Sequence, residues 1–284
     1  MRALLALGLC SLMLLGCAAP GGPAPQTQAV GFLPYPPDPR IRLEAGAEDH
    51  AARVHALLDA AVARVERVHG LPFRAPPSVY VCATAACFAR LVKTPGLTAA
   101  VVADNRLVLS PRLFSVEADR LPGILAHELS HVHLGQRLGH YTPWIPVWFH
   151  EGLATLVAEG GGAEFASDAD ACTAWRDGRR VDFGRRDVPG QRHRAEAFGL
   201  SIHEFYRQSW RAVELLRAHD PVAFRRWLSD LQEGTDFHIA FADAYNTDLA
   251  TLLNSLLDSI ALAADPVTHE GCAHPGPQGG HRHR

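Results

Sequence analysis

The sequence lacks the marks of several large protein classes. It has no excess of one charge: 27 Lys and Arg face 30 Asp and Glu across 284 residues, a net of −3 with histidines neutral. Nothing electrostatic therefore points to nucleic acid or an acidic membrane surface as a partner. The apolar run at the start, Ala3 to Leu15, falls short of the roughly 20 residues a spanning helix needs. No pair of cysteines has the CxxC spacing of a structural zinc site, and no internal repeat marks a solenoid. What is present is a hydrophobic fraction of 48%, enough for a sizeable core and against wholesale disorder. Sixteen histidines supply unusual scope for metal or proton chemistry.

The N-terminus reads as a targeting segment. Arg2 precedes the apolar run, which closes on Leu14-Leu15-Gly16-Cys17-Ala18. That run resembles a bacterial lipobox, which implies a signal peptide over 1–17, a lipidated Cys17 as first mature residue and a soluble body held at a membrane. Ala18 rather than Asp after the cysteine implies the outer membrane, facing the periplasm. A plain secretory signal cut near Ala18-Ala19 is the alternative. Four cysteines then remain, Cys82, Cys87, Cys172 and Cys272, and export permits disulfides. Cys82 and Cys87 can bridge across a strand-to-helix turn, and Cys172 and Cys272 would then pair by elimination. Three pairings are open.

Residues 18–40 are rich in Pro, Gly and Ala and read as an extended tether. Residues 266–284 carry His269, His274, His281 and His283 without apolar periodicity and read as a disordered, solvated tail. Between them, residues 41–265 hold one domain. Val54, Leu57, Leu58, Ala61, Val62 and Val65 have helical spacing within Asp49 to Val68. Ser78 to Cys82 is a short β-rich run, and Ala86 to Leu91 a short helix. Ala99 to Val102 and Leu107 to Leu109, joined at Asp104-Asn105, read as a hairpin. A helix follows from Asp119 to about Leu138, closed by Gly139. Beyond it the chain is helical: Ile202 to Arg217, a helix starting at Asp220-Pro221 and closed by Gly234, and a last helix capped by Thr247. A small sheet followed by helices is an α+β arrangement.

Inside the 119–138 helix lies His127-Glu128-Leu129-Ser130-His131. Residues four apart share one helix face, so both imidazoles can reach one ion. Glu128 lies about 100° round the helix, suited to take a proton from a water beside that ion. Catalytic zinc usually takes three protein ligands and keeps one position for water. The segment Pro146-Val147-Trp148-Phe149-His150-Glu151-Gly152-Leu153-Ala154 offers the third.

HELSH followed by PVWFHEGLA resembles the gluzincin metallopeptidases. The resemblance covers mainly Ala99 to Glu159 and, more loosely, Tyr206 to Leu257. It implies a zincin-like catalytic domain in which Glu151, on a second helix, completes a Zn2+ site with His127 and His131. Nineteen residues separate His131 from Glu151, one more than in the closest aminopeptidase pattern, and the Gly139-to-Pro146 connection can absorb the difference. The metzincin pattern is absent, since Gly135 falls one place late and Arg137 stands where a histidine is required. Tyr206, in Tyr206-Arg207-Gln208-Ser209, resembles a Y-x-Q-S segment of small peptidases of this clan, which implies an oxyanion donor. Packing on the helix stripe with Trp210 explains its spacing equally well, and His203 is a weaker substitute. His133, His140 and His150 are nearby histidines expected to lie off the metal. Glu159 and Asp168 are candidates for carboxylates that orient the ligands. The resemblance also implies that an edge strand of the 99–109 hairpin pairs with an extended peptide.

These readings combine into a zinc peptidase with Glu128 as general base, acting on a peptide or protein, with endopeptidase action slightly preferred. Two rivals are a non-catalytic, zinc-stabilised envelope chaperone or assembly lipoprotein, and a lipoprotein that binds metal through its histidine tail.

Overall fold

The computed structural model describes residues 31–94 and 96–263, and the sheet comes first. β1 (Phe32–Tyr35) and β2 (Asp38–Glu44) form an antiparallel pair. Residues 32–35 and 38–40, read above as tether, are therefore strand, joined by a turn at 36–37. Their prolines obscured this: β1 is an edge, where a residue such as Pro34 need not donate to a ladder. Ile41 and Leu43 of β2 alternate into the core.

α1 (Glu48–His69) follows. Its Ala51, Val54, Leu58, Ala61 and Val65 are buried at helical spacing, and Glu48 and Asp49 in the first turn complement the helix dipole. Gly70 ends it at φ 77°, a left-handed conformation that suits glycine. β3 (Ser78–Val81) leads into α2 (Ala85–Leu91), which Thr84 caps by accepting the Cys87 N–H. A Cys82–Cys87 disulfide ties strand to helix, as the spacing allowed. Cys272, the other expected partner, lies outside the described residues, as do Cys17 with its lipobox and the histidine tail. β4 (Ala99–Val102) and β5 (Arg106–Leu109) form the expected hairpin. The sheet order is β1-β2-β3-β5-β4, with β2, β3 and β5 mutually parallel, so β4 is an edge.

α3 (Leu121–Leu138) begins with Pro122 in its first turn and ends at Gly139. A 3-10 segment (Gly139–Trp144) leads to α4 (Val147–Val157). α5 (Asp168–Arg176) and α6 (Ile202–His219) each start in a capping box, Ser167 with Asp170 and Ser201 with Glu204. α7 (Pro221–Gln232) is capped by Asp220, α8 (Phe237–Tyr245) by Asp236, and α9 (Leu249–Ala263) is the last. The cap of α9 is Asp248, which accepts the Thr251 N–H at 2.9 Å, rather than Thr247. The architecture is α+β.

Two hydrophobic clusters form the interior. One lies between the sheet, α1 and the first half of α3; the other is built by α4, α6, α7 and α8. α3 passes from the first cluster at Leu121 to the second at Leu134 and Leu138. α4 runs the other way, from Val147 in the second to Val157 in the first. His127, His131 and Glu151 lie where the two helices cross this seam.

Candidate metal centre

His127 and His131 sit one turn apart on α3, and Glu151 comes from the middle of α4. One carboxylate oxygen of Glu151 lies 3.2 Å from His127 Nε2 and 3.4 Å from His131 Nε2. One ligand atom from each residue falls within 4.8 Å of the others. The spacing of HExxH and the return through Gly139 to Pro146 thus bring together the three residues the sequence singled out.

The environment prepares this set for a cation. His127 Nδ1 lies 3.0 Å from the Gly161 carbonyl; a carbonyl only accepts, so Nδ1 carries the proton. In the neutral ring Nε2 is then a lone pair facing the Glu151 carboxylate. Two acceptors in contact call for a shared proton or a cation between them. Gly162, at φ 97°, packs closely against the same ring: a Cβ there would stand 2.9 Å from His127 Cε1 and Nδ1. The Tyr206 ring stacks on His127 with centroids 5.6 Å apart. The His150 ring stacks on His131 at 4.4 Å, and His131 Nδ1 is buried without a hydrogen-bond partner.

Burial and mutual charge set the titration of the group. Burial works against a charge on His127, but the hydrogen bond and charge of Glu151 outweigh it and raise its pKa. Burial would likewise raise Glu151; the charge of His131 and the bonds from both rings instead hold it well below the usual carboxylate range. Glu128 is raised, chiefly by burial, against the opposing charges of His131 and His127. Tyr206 is pushed well above its usual value by burial, then by Glu151 and Glu128.

The other candidates lie elsewhere. His133 turns away, with Nε2 2.9 Å from the Leu71 carbonyl and its ring against His69 and Phe73. His140 is exposed against Tyr141, and His203 packs against Phe165. Glu159 and Asp168 do not orient the ligands: Glu159 is exposed and pairs with Arg64, and Asp168 is taken by Arg207 and Arg211. A backbone carbonyl, that of Gly161, does this work for His127. The triglycine Gly160-Gly161-Gly162 after α4 was the available sequence signal for that close approach. A second grouping of ligand types, Glu44 with Cys82 and Cys87, is already satisfied. The sulfurs form the disulfide and Glu44 accepts from the Ala83 and Thr84 N–H groups.

No protein-family model matches the chain, and no curated protein matches it significantly. The geometry therefore carries the conclusion: among the described residues His127, His131 and Glu151 form a candidate site for a metal ion.

Proposed function

We propose that the protein is a zinc-dependent peptidase of zincin-like fold, with His127, His131 and Glu151 as metal ligands and Glu128 as general base. The observation that carries this reading is the buried to half-buried His127–His131–Glu151 set with a second carboxylate, Glu128, beside it on α3. Ligand atoms 3.2 and 3.4 Å apart agree with the edge of a tetrahedron of bonds of about 2.1 Å, roughly 3.4 Å. Two imidazoles and one carboxylate are a donor set suited to zinc that keeps an open position.

When bound, zinc would supply Lewis-acid chemistry, acidifying a water and polarising a carbonyl. Glu128 takes the proton of the attacking water and returns it to the leaving amine, and its burial-raised pKa brings its proton affinity nearer to what both transfers need. Tyr206, held protonated by its surroundings, donates a hydrogen bond to the oxygen on which negative charge develops. β4, at the edge of the sheet and packed beside α3, offers free backbone groups to an extended peptide. Lipidated Cys17 would tether this activity in the cell envelope.

The test is zinc content and peptide-library cleavage by wild type, Glu128→Gln and Tyr206→Phe. The expected result is about one zinc in all three, cleavage by wild type alone at full rate, and a loss of about 10²–10⁴ in Glu128→Gln. Zinc binding without cleavage in any of them would favour the non-catalytic envelope role. Absence of zinc from the wild type would overturn the reading.

A further inference from the structure

The helix that brings Glu151 to the site begins badly. The residue before α4 is Pro146, which has no capping side chain, and no side chain from its own segment caps the helix. The first N–H groups of a helix have no partner within it. Here one of them is answered from 40 residues away: Asp187 Oδ2 accepts the Val147 N–H at 2.8 Å. Asp187 is itself only 5% exposed. Its Oδ1 accepts the His193 N–H at 3.0 Å and lies 2.5 Å from His193 Nδ1. Arg192 Nε stands 3.5 Å from Oδ2, and Arg192 also reaches the Thr142 carbonyl at 3.4 Å, just before α4. Asp187 and His193, both buried, thus close the 187–193 loop into a clasp whose single carboxylate joins it to the helix start.

Val147 is one helical turn before Glu151, so the Glu151 N–H belongs to the turn that Val147 opens. We infer that Asp187 is a positioning residue for the metal site: by capping α4 from a distant loop it sets the turn that aims Glu151 at His127 and His131. It rests on the reading of those three residues as the metal set. α3 needs no such device, because Leu125, Leu129 and Val132 hold the helix in the sheet core and the Gly161 carbonyl orients His127. Groups that orient metal ligands commonly govern affinity, and Asp187 acts on Glu151 through the helix backbone rather than through its side chain.

The test measures the zinc dissociation constant of the full chain by chelator competition, together with Tm of the metal-free protein. Asp187→Ala is expected to weaken zinc binding by about tenfold to a hundredfold. Asp187→Asn, which keeps an acceptor for Val147, should recover most of the loss. Val147→Pro removes the donor, together with part of a buried side chain, at a helix position and after a residue (ψ 136°) that both accept proline. It should weaken binding in the same direction, and it reports even where Asp187→Ala fails to fold. Asp220→Ala, which removes the cap of α7, should lower Tm and leave zinc affinity unchanged. Wild-type affinity in folded Asp187→Ala or in Val147→Pro would overturn the inference, and so would an equal affinity loss in Asp220→Ala. If His131→Ala binds zinc like wild type, the metal set itself falls and the inference with it.

Discussion

The core beneath the sheet and the core among the later helices are filled differently. The first is aliphatic, with Ile41, Leu58, Leu107, Leu109 and Leu125 fully buried and Phe114 the one aromatic among its described buried residues. The second is organised around Trp227, whose ring meets Phe149 at 4.6 Å, Phe241 at 4.9 Å and Phe237 at 5.2 Å. A sheet face presents regular rows that branched aliphatic side chains fill. Helices crossing one another leave irregular gaps, which rings fill edge to face, each such pair adding about 0.5–1.5 kcal/mol beyond burial. Where the two cores meet, the interior turns polar. The candidate metal ligands lie there, together with His69, whose Nε2 meets Ser130 Oγ at 2.9 Å and whose carbonyl accepts from Gln232 at 3.0 Å. The polar groups gather at the seam, where His69 takes partners from α3 on one side and α7 on the other.

The contrast is broken most directly by truncating each core. Trp227→Ala should cost about 4 kcal/mol and Leu125→Ala about 3 kcal/mol. All five tryptophans fall between Trp144 and Trp227, so fluorescence reports the aromatic core and far-UV circular dichroism the whole chain. Coincident denaturant curves in both variants are expected if the seam couples the cores; separated curves would show them unfolding independently.

The seam itself is sharpened by pH. Burial lowers the pKa of His133 from 6.5 to about 4, and burial, then the charge of His133, lowers that of His69. Between pH 6.5 and 4 the unfolded chain takes up the protons that folded His133 refuses, so stability present above 6.5 is lost as pH falls through that window. The loss from His133 amounts to up to about 3 kcal/mol. Metal-free His133→Gln should show a flatter stability-against-pH curve than wild type over this range, and an identical slope would remove His133 from the seam's account.

A smaller effect is expected where α4 meets α6. A Cβ on Gly152 would stand 2.4 Å from the Ser209 carbonyl oxygen, so Gly152→Ala must push the two helix backbones apart, at about 1–3 kcal/mol. Because Glu151 is the preceding residue, zinc affinity should fall along with Tm. The least effect belongs to the surface pair Arg64–Glu159, 3.1 Å apart with Glu159 74% exposed. Glu159→Gln should change stability by less than about 1 kcal/mol and zinc affinity not at all.

Local patterns made much of this legible. The i, i+4 histidines, the apolar stripe of α3 and the closing Gly139 report on one helix, whose geometry repeats every few residues. Asp220-Pro221 marked the start of α7 for the same reason. Pro34 hid β1, because a proline is excluded from a central strand but not from an edge, and Pro39 hid the start of β2, where it lies outside the paired register. Thr247 and Asp248 are both sound caps by type, and only the folded chain selects Asp248.

By itself, then, the sequence determined which residues can form the site: two histidines on one helix face, a glutamate twenty residues on, and the helices that carry them. Tertiary structure alone decided what holds them in place. The Gly161 carbonyl behind His127, the Asp187 carboxylate at the head of α4 and the Gly152–Ser209 backbone contact join residues 34, 40 and 57 positions apart. No periodicity links such positions, because their proximity follows from packing two cores together rather than from the turn of a single helix.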